Sequence, residues 1–395
     1  MRLLIFLFTL IIFQAQAQVL DTGDQLTEFK DGIKYQYKPA HFKTVFRFRM
    51  QNRFTYMTED AERSKAEQTG FEVRRTRLRL DGTIGDPRLL YRLQLSFTRG
   101  DFDFDRTQYP NVLRDAAVGW QFTPHTNVWV GQTKLPGNRQ RLISSGSQQF
   151  VDRSLLNSTF NIDRDIGLFL NHKHGDDKPV WIKLAVTNGG GRATNNDDNG
   201  MAYTARIEWL PLGSFTNGGD YWEGDLTREP EPKFSIAAAY SSNKKATRPN
   251  GQLGTQYETE GLNRNLENYF ADMLFKYRGF AWSSEYARRW SNDPVFQDTA
   301  AGKEVVIYKG HGINTQASYI FENNIEIAGR YTQLWTDNQI ERNADATKQY
   351  TVGVSKYLNE HRVKIQSDLS YTEDARVGSP DQQYWTYRLQ LELGI

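Results

Sequence analysis

The chain contains no cysteine, which excludes disulfides, a thiol nucleophile and a cysteine-borne lipid anchor. After Phe13 no apolar run approaches the roughly 18 residues that a membrane-spanning helix needs. Charge of one sign is also lacking: 49 Lys and Arg face 47 Asp and Glu, a formal net charge of +2. That balance gives no expectation of a nucleic-acid partner. Hydrophobic residues make up only 38% of the 395, which suits a large packed core poorly. Chemistry-bearing motifs are equally scarce. Gly189-Gly190-Gly191 lacks the Lys-Ser/Thr of a phosphate-binding loop. His41, His125, His311 and His361 are scattered and no nucleophile motif accompanies them. An enzyme is therefore not expected, and no cofactor or metal is called for.

Two features are abundant. Aromatic residues reach 13% and recur along the whole chain, which argues against disorder. The N-terminus has the make-up of an export signal: Arg2, then an apolar run from Leu3 to Phe13 broken only by Thr9, then Ala15-Gln16-Ala17. The expected organisation is a signal peptide over 1–17, an N-terminal periplasmic segment over 18–40 and one domain over 41–395.

From His41 onward, segments of about ten residues alternate apolar and polar character, the mark of a strand with two different faces. Phe42, Phe46, Phe48, Met50, Phe54 and Tyr56 share one parity; Lys43, Arg47, Arg49, Gln51 and Arg53 share the other. Trp385, Tyr387, Leu389, Leu391 and Leu393 likewise alternate with Thr386, Arg388, Gln390 and Glu392. Sixteen such strands are expected, near 41–57, 71–83, 88–99, 112–122, 126–135, 164–173, 179–188, 201–210, 232–242, 266–278, 280–290, 306–320, 323–336, 347–358, 361–372 and 383–394. The links alternate short and long, the pattern of a transmembrane antiparallel β-barrel in an outer membrane. Pro211 to Glu231 breaks the rule, being a long stretch where a short turn belongs. A soluble sandwich would have to bury the charged faces of these strands, whereas a watery lumen removes that cost.

The strongest site signal is a pair of basic rows. Lys43, Arg47, Arg49 and Arg53 on the first strand, and Arg75, Arg77 and Arg79 on the second, point away from the apolar faces. Adjacent strands lie about 5 Å apart, so the rows should form one wall, with Arg92 extending it. An Arg facing lipid near the midplane costs about 2–4 kcal/mol, so the wall faces water. Arginine keeps its proton, and its forked donors suit phosphate, sulfate or carboxylate. The expected role is a ladder that attracts small anionic solutes. The plainer alternative is that Asp81, Asp115, Asp152, Glu208, Glu285 and Glu326 partner the arginines and merely shape the interior. Gln132 and Lys134 are expected to project into the lumen beside the long stretch 135–163, with Arg139 and Arg141 nearby.

Trp120, Trp129, Trp209, Trp282, Trp335 and Trp385 sit near strand ends or on outward parity, where interface anchoring explains them. A sugar-binding aromatic track in the lumen is the alternative. His172 and His174 share a face, and Asp101, Asp103, Asp105 and Asn195–Asn199 carry oxygen ligands. Simple exposure accounts for all of these.

Several stretches, in order, resemble the phosphate-selective porin O and P family. They are Gly70-Phe-Glu-Val-Arg-Arg-Thr-Arg-Leu-Arg-Leu-Asp-Gly82, Leu113-Arg-Asp-Ala-Ala-Val118, Val130-Gly-Gln-Thr-Lys-Leu-Pro136 and Gln149-Phe-Val-Asp-Arg-Ser-Leu155. Arg164-Asp-Ile-Gly167, the run Tyr203 to Gly213 and the closing Tyr387-Arg-Leu-Gln-Leu-Glu-Leu393 complete the set. The resemblance implies a sixteen-stranded porin, usually a homotrimer in outer-membrane lipid, with a loop folded inward to narrow the pore. Leu135 to Asp163 is the candidate for that loop. It departs from phosphate-selective relatives in carrying no lysine, only Arg139, Arg141 and Arg153. A weakly selective general porin, or a plugged receptor or structural barrel, are the alternatives to an anion channel.

Overall fold

The computed structural model describes residues 19–395 apart from 22, 30–31, 63–64, 99–110 and 195–199. The export segment 1–17, the Asp101–Asp105 cluster and 195–199 lie outside the described residues. A short meander opens the chain: β1 (Val19–Asp21), β2 (Gln25–Phe29) and β3 (Ile33–Tyr37). The barrel wall begins with β4 (Phe42–Thr58), β5 (Ala66–Ile84), β6 (Asp86–Ser96), β7 (Leu113–Thr123) and β8 (Thr126–Lys134). It continues through β9 (Arg164–His174), β10 (Val180–Thr187), β11 (Ala202–Trp209), β12 (Lys233–Ala246), β13 (Arg264–Tyr277) and β14 (Phe280–Trp290). A loop hairpin, β15 (Val295–Asp298) with β16 (Lys303–Val306), interrupts the wall. The wall resumes as β17 (Gly310–Ile320), β18 (Ile325–Thr336), β19 (Ala346–Asn359), β20 (Val363–Ala375) and β21 (Gln382–Gly394).

Each wall strand pairs antiparallel with the next, and β21 returns to β4, with Thr386 opposite Met57 and Gly394 opposite Arg49. The result is a closed barrel of sixteen strands. Closure leaves no edge, so every wall strand satisfies its backbone polar groups against a neighbour, as lipid requires. All sixteen expected strands form; the meander and the loop hairpin are additional.

The polarity of the wall is inverted relative to a soluble sheet. On β11, Tyr203, Ile207 and Trp209 point outward and are exposed, while Thr204, Arg206 and Glu208 are buried inside. Val352 and Val354 on β19, and Leu389 and Leu391 on β21, repeat the outward apolar pattern. Among the described residues no helix is long and apolar enough to cross a membrane. At one end the links are tight. Arg278 and Gly279 turn β13 into β14 with φ of 47° and 92°, the left-handed pair that a two-residue hairpin turn demands.

Two inserts enter the lumen from opposite ends. The first, residues 135–163, follows β8 at the long-loop end and carries α1 (Arg139–Leu142) and α2 (Leu155–Phe160). Ser154 caps α2, its side chain accepting from the Asn157 N–H. Leu135, Leu156, Phe160 and Ile162 pack on Phe169, Phe270 and Leu334. Ala185, Ala239 and Ala287 give the wall room for them there. The second insert, 211–231, comes from the short-turn end and is the long link that broke the alternation. Four of its five carboxylates, Asp220, Glu223, Asp225 and Glu229, are buried. Asp225 accepts from the Gly279 N–H at 2.7 Å, and Lys276 donates to the Gly219 carbonyl at 2.8 Å.

The inserts meet. The Gln149 N–H and the Gln140 amide donate to the Glu223 carboxylate at 3.0 and 3.2 Å. The Glu223 N–H donates back to the Ser147 carbonyl at 2.8 Å.

Candidate functional site

The inserts bond to wall strands from β11 round to β5 and leave part of the lumen open. Against β5 to β10 lies a cavity of about 540 Å³. Seven arginines and two lysines line it (Arg77, Arg79, Arg92, Arg114, Arg141, Arg153, Arg164, Lys134 and Lys183), against the single carboxylate of Asp115. A second space of about 200 Å³ adjoins it, sharing Arg77, Arg79, Gln94 and Ser144, and runs along Arg47 and Arg49 to Arg362 and Ile395. The two spaces meet at Arg77 and Arg79, a lane of basic wall leading toward the short-turn end.

The acids missing from this lane are on the other side, under the inserts. Glu208 and Asp272 are buried and hold Arg139 at 2.8 and 2.7 Å, and Asp272 also holds Arg206 at 2.6 Å. Glu285 accepts from the Gln140 N–H at 2.5 Å, and Glu326 from the Tyr357 hydroxyl at 2.5 Å. A chain of nearly balanced charge therefore presents a basic face to the open space.

The register brings the expected basic rows together: Arg47 lies opposite Arg79 and Arg49 opposite Arg77. Like charges directly opposite are destabilising, and named partners offset them. Asp81 accepts from Arg47 at 2.6 Å, Arg79 at 2.8 Å and Arg92 at 3.3 Å. Arg49 donates to Ser144 and Ser145 at 3.1 and 2.7 Å, and Arg77 to Ser145 at 3.1 Å. Lys43 stands exposed beyond the row, opposite Thr83.

Arg53 and Arg75 serve the first insert instead. A bulge at Arg74 lets Arg74 and Arg75 both reach Asp152, at 3.8 and 3.3 Å, alongside Arg53 and Arg388. Burial pushes the Asp152 carboxyl up, but Arg75, Arg74, Arg53 and Arg388 outweigh it and hold the group well below the usual carboxylate range. Asp152 is thus a pin that fixes the insert to β4, β5 and β21.

Two expected lumen residues are placed differently. Gln132 is buried: its amide donates to the Leu113 and Arg114 carbonyls, and its oxygen accepts from the Ala193 N–H at 2.7 Å. The positive φ of 123° at Gly131 accompanies this turn away from the lumen. Arg139 is 1% exposed, spent on Glu208 and Asp272. Trp129 corrects a third expectation. It faces the cavity, stacked under Arg92 at 5.0 Å, and a Cβ on Gly119 would come within 2.6 Å of its ring.

Three lining cations stand apart. Lys134 donates to the Leu142 carbonyl at 2.8 Å. Arg153 donates to the Gln140 and Ile143 carbonyls, both at 2.8 Å. Lys183 contacts the Tyr221 hydroxyl, which itself donates to Glu208 at 2.8 Å. Among the described residues none of the three makes an ion pair with a carboxylate. Burial, then repulsion from Arg141 and Arg75, pulls the Arg153 guanidinium well below the ordinary arginine range. A guanidinium does not deprotonate in a protein, so Arg153 keeps its charge.

Lys183, Arg114 and Arg164 were not singled out from the sequence. For Lys183 the signal was present: it alternates with outward Ile182 and Leu184 on β10.

Solved structures with the same fold include the outer membrane channel DcaP of Acinetobacter baumannii, with a TM-score of 0.54 and 12% identity over 89% of this chain and 97% of that one. OmpT of Vibrio cholerae in its trimer form gives 0.54 and 10% over 89% and 99%. OprB of Pseudomonas putida gives 0.56 and 8% over 89% and 94%. No curated protein sequence matches the chain. The family model for phosphate-selective porin O and P matches residues 45–393, nearly the whole barrel. With its closed wall and its lumen narrowed by inserts, the chain is an outer-membrane porin channel that belongs to the phosphate-selective porin O and P family.

Proposed function

We propose that this porin passes small solutes with a preference for anions, and that Lys134, Arg153 and Lys183 form its narrowest anion site. The observation that carries the reading is their lack of carboxylate partners in a cavity lined by nine cations and one acid. Each is held by a carbonyl or hydroxyl dipole that fixes its position without neutralising it. Arg47, Arg49, Arg77, Arg79 and Arg92 extend the attraction along the wall, damped by Asp81 and Glu392. Weak sites in series let an ion enter and leave.

The test is the reversal potential of purified protein in planar bilayers across a chloride gradient, with inorganic phosphate then added. Anion selectivity with block by phosphate supports the reading. A large conductance without selectivity would make this a general porin whose arginines are scaffolding, and no conductance would make it a plugged barrel. We further propose a homotrimer, by analogy with the trimer form of OmpT, and removal of residues 1–17 on export.

A further inference from the structure

We infer that the cavity takes organic anions bearing a ring, phosphorylated or carboxylated, in preference to inorganic phosphate; this rests on the anion reading above and names its solute class. Bare phosphate requires only cations, yet this space of about 540 Å³ has the size of a pocket for a small organic molecule. Flat apolar surfaces stand among the charges. Trp129 and Trp181 line the cavity, and Tyr221 reaches in from the second insert. The cations sit beside the rings: Arg92 is 5.0 Å from the Trp129 centroid, and Lys183 is 5.7 Å from Trp181 and 4.5 Å from Tyr221.

Hydrogen-bonding capacity is left over as well. The Asn127 oxygen accepts from the Trp129 indole N–H at 2.9 Å and from Asn171 at 3.0 Å, which aims the Asn127 amide N–H groups elsewhere. The Trp181 indole N–H has no hydrogen-bond partner among the described residues. A ring laid on Trp181 would place its acid group toward Lys183 and its edge toward these donors. The face of a sugar and the face of an aryl group both satisfy this arrangement, since each presents C–H or π surface to an indole.

The experiment measures half-blocking concentrations on single channels of the full protein. Inorganic phosphate and glycerol 3-phosphate are compared with glucose 6-phosphate and phenyl phosphate. At least one ring phosphate is expected to block at a concentration about ten-fold lower than the acyclic probes, the scale of one ring stacked on an aromatic side chain. The two ring arms distinguish a sugar from an aryl solute. Within Trp181→Ala the ratio of acyclic to ring half-block falls toward one, and Trp181→Phe retains it. Equal block by ring and acyclic phosphates in the wild-type channel overturns the inference, as does an unchanged ratio in Trp181→Ala. Failure of the underlying reading is separable, because it appears as a reversal potential without anion preference before any phosphate is added.

Discussion

Replacing Lys134, Arg153 and Lys183 together by Gln tests the anion site most directly, because Gln keeps a donor for the carbonyls that Lys134 and Arg153 hold and for the Tyr221 hydroxyl beside Lys183. For a solute taken at about 7 Å from the charged heads, one unit charge in water is worth about 0.6 kcal/mol. Screening at 0.1 M salt, with a Debye length of about 10 Å, leaves about half of that. Three cations then contribute about 0.9 kcal/mol, roughly a five-fold change in partition for a monovalent anion and the inverse for a cation. The permeability ratio should fall about twenty-fold, the product of the two. A perfectly anion-selective channel reads about 59 mV across a ten-fold gradient at 25 °C, and the triple variant should move most of the way toward zero. Raising the salt should shrink the difference between the channels. A reversal potential unchanged from wild type, in a variant with intact single-channel conductance, would refute the reasoning and hand selectivity back to the wall arginines.

Other perturbations separate scaffold from lane. Asp152→Asn should loosen the first insert by removing the carboxylate that Arg53, Arg74, Arg75 and Arg388 share, while Glu72 still holds Arg53 and Asp368 still holds Arg388. The destabilisation, at the low end of about 3–5 kcal/mol, is seen as larger, noisier conductance. The same pin sets a pH response. A carboxyl held below its usual range contributes fully above about pH 4 and loses its contribution as pH falls through the depressed value. Conductance noise should therefore stay flat from pH 7 to about 4 and rise only in stronger acid. Glu223→Ala should part the two inserts and expose the acids behind them, raising conductance while lowering anion preference in the reversal potential. Gly119→Leu should displace Trp129 into the cavity and reduce single-channel conductance without changing the thermal stability of the barrel by more than a few degrees.

The wall was legible in the sequence because two-residue periodicity and turn spacing are local. The sixteen strands follow from them, and so does the union of the two basic rows, which needs only a hairpin between β4 and β5. What was not legible depends on partners far apart in the chain. Arg139 carries the same side chain as Arg141, yet it meets Glu208 and Asp272, which no local pattern links to it. Trp129 was misread because its ring is apolar, although it shares the parity of Asn127, Gly131 and Thr133 and not that of Val128 and Val130. The small Gly119 on the neighbouring strand was a further clue to the inward side. The link 211–231 offered one hint, a set of five acids in a place where a tight turn suffices, four of which are buried in the lumen. The meander over 19–37 was overlooked because its strands are too short to establish a period.

That meander has a consequence for assembly. Its strand β3 occupies one edge of β4 from Phe42 to Phe46, with Ile33 opposite Phe46. β21 takes the same edge from Arg49 to Met57, and the Ile395 N–H donates to the Phe48 carbonyl at 3.0 Å. One strand edge is thus shared end to end by the earliest and latest segments of the sheet. A slip of β21 by two residues toward β3 would run into hydrogen bonds already made, and a slip by one would turn its leucines inward. The meander serves as a doorstop for the final strand, setting the register in which the ring shuts and with it the stagger, and so the girth, of the whole barrel.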